Sequence, residues 1–260
     1  MQNAKSSSVI DTQTAVQGFD HPLAQSIQAT ANGTTYTIEI DATSTVLGEL
    51  QAQNFTLLAY KGASGPNQVS AGMPTWFAQP FINLFTPIDI EYTPVYQVYI
   101  SSVLNVAPNT IINMAKASLP VGLGTSLVFN ADGTFTQGGA GTAGSIALTN
   151  NRPAGTPPLV VGLAAMINGV FSPFCAFTCP PQNAVQMTPH ESVAFFAART
   201  ALQSGSVTAN ATAPGSSFAI QPTVTDYTLQ VQDSTFAIVG TGSTITTVIN
   251  AGDALSILNS

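Results

Sequence analysis

Residues 73–100 of this 260-residue chain read MPTWFAQPFINLFTPIDIEYTPVYQVYI, and they include seven of the aromatic residues and the only tryptophan, Trp76. Four prolines interrupt the stretch: Pro74, Pro80, Pro87 and Pro94. Each proline removes a backbone donor and favours extended geometry in the residue before it, which excludes a long helix. The stretch is therefore extended or looping chain that forms part of a core or of a binding surface.

The alternation of apolar residues divides this stretch into two parts. Val95–Leu104 places Tyr96, Val98 and Ile100 on one side, which predicts a strand. Met73–Pro94 has no regular period, and we expect it to form a long loop that lies on the strands.

Other short strands surround it in the sequence. Thr34–Asp41 alternates cleanly and follows Asn32-Gly33, a turn that would make Gln25–Thr30 its partner strand. Leu159–Ile167 and Val170–Phe177 flank Asn168-Gly169, which predicts a second hairpin.

A further hairpin is predicted over Gly122–Gln137, with its turn at Asp132-Gly133. Five short strand-like runs then follow at intervals of about ten residues: Phe218–Val224, Tyr227–Val231, Thr235–Val239, Thr244–Ile249 and Ala254–Leu258. Many short strands with regular turn signals predict a mainly β protein, an antiparallel β-sandwich or a related barrel.

One helix is predicted at about residues 189–204. Thr188, Pro189 and Glu191 match a capping box with proline in the first helical position. Gly205 follows the apolar run as a natural terminator.

The chain is expected to form a polar arm over residues 1–18, with disorder as one alternative, and a single β-rich domain over residues 19–260. The segment 206–217, SVTANATAPGSS, is a candidate linker, after which residues 218–260 either complete the sandwich or form a small second unit.

The surface must be built largely from uncharged polar side chains, because five basic and twelve acidic residues make up 7% of the chain against roughly 25% in ordinary globular proteins. Such a surface repels its own copies weakly, so we expect a homo-oligomer. The basic residues are spread singly, which argues against nucleic-acid binding.

The first 18 residues lack the apolar core of a signal peptide. We expect a protein that lies outside the cell or is released without a cleaved signal, and a cytosolic location stays open.

Two motifs suggest bound groups but fail in context. Residues 139–144 match G-x-G-x-x-G, yet Pro153 prevents the helix that a dinucleotide site needs. Cys175, Cys179 and His190 supply one ligand too few for a structural zinc site, and buried thiols are the preferred interpretation of the cysteines. We therefore predict no cofactor and no metal.

The candidate binding residues are aromatic and acidic side chains in the opening stretch: Trp76, Phe77, Tyr92 and Tyr96, with Asp89 and Glu91 as polar partners. Aromatic rings can stack on the C–H faces of sugars. The two acids are two apart in extended chain and so share one face of a strand. This pattern favours a glycan-binding site.

Three functional classes follow from these features. The first is a non-catalytic, self-associating sandwich that binds glycans as lectins do or membranes as pore-forming toxins do, the latter through the hairpin at Gly122–Ile146. The alternative is a structural subunit of a filament, shell or lattice, in which the N-terminal arm adds a strand to a neighbour. The third is an enzyme that acts on carbohydrate through Asp89 or Glu91.

Overall fold

The computed structural model describes residues 33–260, which form two packed eight-stranded β-sheets, a separate two-stranded sheet and one α-helix. The strands are β1 (Tyr36–Asp41), β2 (Thr56–Ser64), β3 (Met73–Pro74), β4 (Phe77–Pro80), β5 (Ile88–Ser101), β6 (Met114–Ala117), β7 (Thr125–Phe129), β8 (Phe135–Ala140), β9 (Ile146–Asn150), β10 (Leu159–Ile167), β11 (Val170–Pro173), β12 (Phe177–Cys179), β13 (Asn183–Ala198), β14 (Val207–Thr208), β15 (Gly215–Ala219), β16 (Asp226–Val231), β17 (Ile238–Gly240) and β18 (Thr247–Ile249). The helices are α1 (Ser44–Ala52) and two 3-10 helices, Phe81–Asn83 and Leu255–Asn259. The mainly β fold and its sandwich architecture are as predicted.

Sheet 1 has the strand order β11-β10-β5-β1-β16-β17, with β12 beside β10 and β6 beside β5. Neighbours are antiparallel except β1 and β16, which are parallel. Sheet 2 has the order β18-β15-β13-β9-β7-β8, and β2 pairs with both β13 and β4. Neither sheet closes on itself, so each ends in edge strands, among them β11 in sheet 1 and β4 in sheet 2.

Three apolar clusters account for the burial. The main core lies between the sheets and includes Trp76, Tyr92 and Phe195. A second cluster contains residues such as Phe196 and Leu258, and a third contains residues such as Tyr99. Strands that contribute to two clusters must be apolar on both faces.

The helix predicted at residues 189–204 is wrong, because residues 189–198 belong to strand β13 and residues 199–204 form no helix. Val193, Phe195 and Ala197 enter the main core, while Ala194 and Phe196 enter the second cluster. A run that is buried on both faces is continuously apolar, and periodicity alone cannot distinguish such a strand from a helix.

Proline is tolerated in β13 for a local reason. The pairing of β13 with β2 is irregular between Pro189 and Val193, so the strand bulges where Pro189 supplies no donor. Gly205 lies beyond the strand in a tight turn with φ of +88° rather than at a helix end.

The long loop predicted over Met73–Pro94 is also wrong. Its residues form β3, β4, a 3-10 helix and the first half of β5, which starts at Ile88 and not at Val95. Pro94 lies within β5, where the pairing with β10 shifts register, so no ladder hydrogen bond is lost there.

The turn signals were more reliable. β10 and β11 form the predicted hairpin across Asn168 (φ 48°) and Gly169 (φ 75°), and β7 and β8 form the other across Gly133 (φ 82°). β1 alternates as predicted, whereas the run Ala254–Leu258 belongs to a 3-10 helix instead of a strand.

One element escaped the sequence interpretation. α1 begins after Thr43, whose side chain accepts a hydrogen bond from the Val46 N–H, and it buries Val46, Leu47 and Leu50. The cap and this spacing are the signals that could have revealed it.

The N-terminal arm and the strand proposed at Gln25–Thr30 lie outside the described residues. The candidate linker 206–217 contains β14 and the start of β15. Beyond it, β15 pairs with β13 in sheet 2 and β16 pairs with β1 in sheet 1. Cys175 and Cys179 are buried free thiols, as interpreted from the sequence.

Candidate functional site

A groove of about 600 Å³ opens where the edge strands of the two sheets diverge. β11 of sheet 1 forms one side and β4 of sheet 2 forms the other. Leu84, in the segment that follows β4, also lines the groove. The groove exists because the sandwich is open at this side.

A mismatch in strand length shapes one end of the groove. β10 ends at Ile167, opposite Tyr92, but β5 extends four residues further to Ile88. The turn residue Asn168 makes the last hydrogen bonds to β5 on this side. Its N–H donates to the Glu91 carbonyl at 2.8 Å, and its Oδ1 accepts from the Glu91 N–H at 2.7 Å. Beyond this point the edge of β5 at Asp89 borders the groove.

Trp76 forms the floor. Its side chain is fully buried, its Nε1 donates to the Ala165 carbonyl at 3.3 Å, and its ring meets Tyr92 edge-on at 5.2 Å between centroids. These contacts hold the indole rigidly beneath the opening.

The walls are aromatic and aliphatic. Phe77 from β4 is half-buried, and Val170 from β11 is 65% exposed. Together with Leu84 they give the groove an apolar lining that solvent reaches. Phe171 also borders the groove, but it pairs with Met166 and packs against the third cluster, on the opposite face of sheet 1 from Ser172.

A few polar groups interrupt this lining. Ser172 is 7% exposed, and its Oγ has no hydrogen-bond partner among residues 33–260. Because Ser172 pairs with Ala165, a core residue, its side chain lies on the inner face of sheet 1 and borders the groove. Asn168 and Gln79 add two amides, and Asp89 borders the groove at the edge of β5 with its side chain on the outer face of sheet 1. A buried hydroxyl without a partner loses free energy that a ligand would restore.

The structure brings together three of the six predicted binding residues. Trp76, Phe77 and Asp89 border the groove. Tyr92 and Tyr96 are at most 1% exposed and lie in the main core, where their rings do not reach solvent. Glu91 is exposed on the outer face of sheet 1, on the same face as Asp89, as predicted from their spacing.

The two tyrosines belong instead to a polar cluster between the sheets. Their hydroxyl groups lie 3.1 Å (Tyr92) and 2.8 Å (Tyr96) from Oε1 of Glu191 and donate to it. Oε2 of Glu191 accepts from Nζ of Lys61 at 3.0 Å, and Nζ also donates to the His190 carbonyl at 2.6 Å. Lys61 is fully buried and its ammonium lies 4.7 Å from the centroid of the Tyr92 ring.

Burial lowers the pKa of Lys61, and the attraction of Glu191 partly offsets this effect. For Glu191, desolvation acts to raise the pKa, but the charge of Lys61 and the hydrogen bonds from Tyr96, Lys61 and Tyr92 outweigh it, so the pKa lies below its usual range. The cluster thus joins a fully buried lysine to a partly exposed glutamate in one ion pair. The sequence carried one signal for it, a lone lysine inside the apolar run 54–64.

Among residues 33–260, no group of three or more His, Cys, Asp or Glu side chains could hold a metal ion. Cys175, which the sequence motif grouped with His190, is buried, and its Sγ lies 3.3 Å from the Leu163 N–H as an acceptor. No helix in the described part of the chain is long and apolar enough to cross a membrane.

Comparisons with family models, with curated proteins and with solved structures found no match to this chain.

Proposed function

We propose that the protein is a non-catalytic, lectin-like β-sandwich that binds a glycan in the groove between β4 and β11. The observation that carries this proposal is the unpartnered hydroxyl of Ser172 at an open groove lined by Trp76, Phe77 and Val170. Small-molecule sites commonly combine an apolar lining with a few placed polar groups, which is the composition of this groove.

The apolar part of the groove suits the faces of sugar rings. A pyranose presents C–H groups on its flat faces, and these pack against the negative face of an aromatic ring. Phe77 and Val170 stand on opposite strands, so a sugar between them contacts both sheets. Trp76 beneath them is held by its hydrogen bond to Ala165 and provides a rigid base.

The polar part suits sugar hydroxyl groups, which both donate and accept hydrogen bonds. The amides of Gln79 and Asn168 offer donors. Oδ1 of Asn168 already accepts a hydrogen bond from the Glu91 N–H, so the NH₂ group of Asn168 remains as the donor for a ligand. Ser172 adds a hydroxyl that can act in either sense.

The proposal is for binding without catalysis. Glycoside hydrolysis commonly uses two carboxyl groups on either side of the bond. Among the described residues, Asp89 is the one acid that borders the groove.

The experiment is isothermal titration calorimetry with a panel of neutral oligosaccharides. We expect Phe77→Ala, Val170→Ala and Ser172→Ala each to weaken binding, by about tenfold for a loss of about 1.4 kcal/mol. Phe135→Ala is the matched control, because Phe135 is also half-buried and aromatic but lies on β8, away from the groove. Absence of binding across the panel, or equal losses in Phe135→Ala, would overturn the proposal.

One observation favours self-association as a second candidate property. β8 is an edge strand of sheet 2, and its sequence FTQGGA contains neither charge nor proline, the usual features that block pairing with another chain. Light scattering and negative-stain imaging, with and without liposomes, measure this property. Gln137→Lys is expected to shift any oligomer towards monomer, and a wild-type monomer in all conditions would exclude it.

A further inference from the structure

An exposed apolar segment forms a rim of the groove. Residues 81–87, FINLFTP, connect β4 with β5, and both strands contribute residues to the groove lining. Within this rim segment Ile82 is 62% exposed and Phe85 is 80% exposed, whereas Leu84 is half-buried and lines the groove. The backbone of Leu84 is extended, so the side chains of Leu84 and Phe85 point to opposite sides of the segment. Phe85 therefore projects outward from the rim.

The rim segment is held by neighbouring elements. Nε2 of Gln51, on α1, donates to the carbonyls of Phe81 and Leu84, both at 3.2 Å. Oγ1 of Thr86 accepts from the Ala42 N–H at 3.4 Å. The two exposed apolar side chains are thus presented from a fixed backbone, and such preorganised groups lose little conformational entropy when a partner covers them.

The exposed apolar surface of the rim segment is small for a protein interface. A buried aromatic side chain covers about 150–250 Å², so Ile82 and Phe85 together supply on the order of a few hundred Å². A standard protein interface buries about 800 Å² on each partner. A lipid bilayer needs no complementary shape and takes up apolar side chains at its surface. The two side chains therefore suit a bilayer better than a second copy of the chain.

The charges near the rim segment indicate which kind of bilayer it suits. No charged residue occurs between Lys61 and Asp89 in the chain. Glu49 on α1 and Asp89 at the start of β5 are exposed acids, and an anionic surface would repel them. Attraction to anionic lipids uses clustered Lys and Arg, which the rim segment lacks. The surface that fits is a neutral bilayer.

Insertion of a small apolar group gives weak and reversible membrane binding, and stable attachment takes a second signal. The groove supplies that signal, because Leu84 belongs both to the rim segment and to the groove lining. We infer that the protein binds a neutral glycolipid at a membrane surface, with Ile82 and Phe85 in the bilayer interface and the sugar headgroup in the groove. This inference rests on the proposed glycan site and names the form in which the glycan is presented.

The test compares each sugar in two forms. Every neutral oligosaccharide of the calorimetric panel is coupled to an uncharged dialkylglycerol and placed in phosphatidylcholine vesicles. Co-sedimentation measures binding to these glycolipid vesicles, and calorimetry measures the affinity for the same free sugar. We expect the glycolipid vesicles to bind more tightly than the free sugar and plain phosphatidylcholine vesicles to bind weakly.

Substitutions in the rim segment locate the effect. Ile82→Asn and Phe85→Asn should each weaken binding to the glycolipid vesicles, by about tenfold for Phe85→Asn, since one buried aromatic side chain is lost. Both should leave the melting temperature and the affinity for the free sugar unchanged, because the two side chains are exposed and do not line the groove.

Ile245→Asn is the matched control. Ile245 is 90% exposed and precedes β18, and three strands, β2, β13 and β15, separate β18 from β4 in sheet 2. Its replacement should not change vesicle binding. Phe85→Trp reports insertion directly: Trp76 is fully buried, so nitroxide groups on the lipid acyl chains should quench the variant more than the wild type.

The outcomes separate this inference from the proposed function. If Phe85→Asn binds the glycolipid vesicles as tightly as the wild type, or if Ile245→Asn loses as much, insertion is overturned while the glycan site stands. Equal binding to vesicles with and without the glycolipid also overturns the inference. A dimer in light scattering that Phe85→Asn converts to a monomer would assign the rim segment to a second copy instead. If no free sugar and no glycolipid vesicle binds, both proposals are overturned.

Discussion

Nζ of Lys61 lies 3.0 Å from Oε2 of Glu191, and this ion pair joins the neighbouring strands β2 and β13 inside the sandwich. The lysine is fully buried, whereas the glutamate side chain is 39% exposed. The bulge in β13 after Pro189 allows Glu191 to face the core at this point. The charge of Lys61 is therefore stable only while Glu191 and the His190 carbonyl remain in place.

Glu191→Gln should destabilise the protein by about 3 kcal/mol, because removing one partner leaves a buried charge without compensation. Urea denaturation measures the change. Lys61→Met is the matched control, since it removes the buried charge itself and leaves Glu191 with solvent and two tyrosine donors. We expect the methionine variant to lose clearly less stability. Equal losses would mean that the ion pair contributes no more than packing.

Stability should fall as the solution becomes acidic. The pKa of Glu191 is depressed in the folded state, so its contribution is present above the usual Glu value of about 4.3 and is lost as pH falls through the folded pKa. Burial and the charge of Lys61 lower the pKa of His190. Protonation of this histidine therefore also lowers the free energy of unfolding as pH falls below the usual His value of about 6.5. Denaturation midpoints measured across the acid range provide the test. A Glu191→Gln protein should show a flatter profile, and an identical slope would contradict this assignment.

Trp76→Ala should destabilise the fold by about 3–5 kcal/mol, since the indole is fully buried in the main core. Trp76→Phe keeps most of the volume but loses the hydrogen bond to Ala165, and it should be milder. Thermal or urea unfolding measures both changes. An unchanged melting temperature in the alanine variant would show that Trp76 is a surface residue.

Cys175 and Cys179 should react slowly with a thiol reagent in the native protein. Burial raises the pKa of Cys175 to about 12 and also raises the pKa of Cys179, so little thiolate is present at neutral pH. Under denaturing, non-reducing conditions both thiols should react at once. Failure of either to react after denaturation would indicate a disulfide instead of two free thiols.

The strand and turn content could largely be predicted from local sequence. Asn168-Gly169 and Gly133 adopt the positive φ angles that their hairpins require, and β1 shows period-two alternation because one of its faces meets the core. These features depend on residues close together in the chain, which is why they were accessible without the structure.

The errors arose where burial comes from distant parts of the chain. β13 resembles a helix in sequence because sheet packing covers one face and the second cluster, with Leu258 near the C-terminus, covers the other. Tyr92 and Tyr96 resemble binding residues, because residue type alone does not distinguish a tyrosine at a binding surface from one in a core. The structure shows that their hydroxyl groups donate hydrogen bonds to Glu191 inside the protein.

The candidate site shows the same division. Local sequence was sufficient to propose Trp76, Phe77 and Asp89, because an aromatic, proline-divided stretch with alternating acids is visible at short range. Ser172 and Phe171 could not be proposed with them, since they lie more than 80 residues further along the chain. They meet only because β11 and β4 are edge strands of opposite sheets. Backbone propensity acts between near neighbours, whereas a groove is formed by the packing of whole sheets.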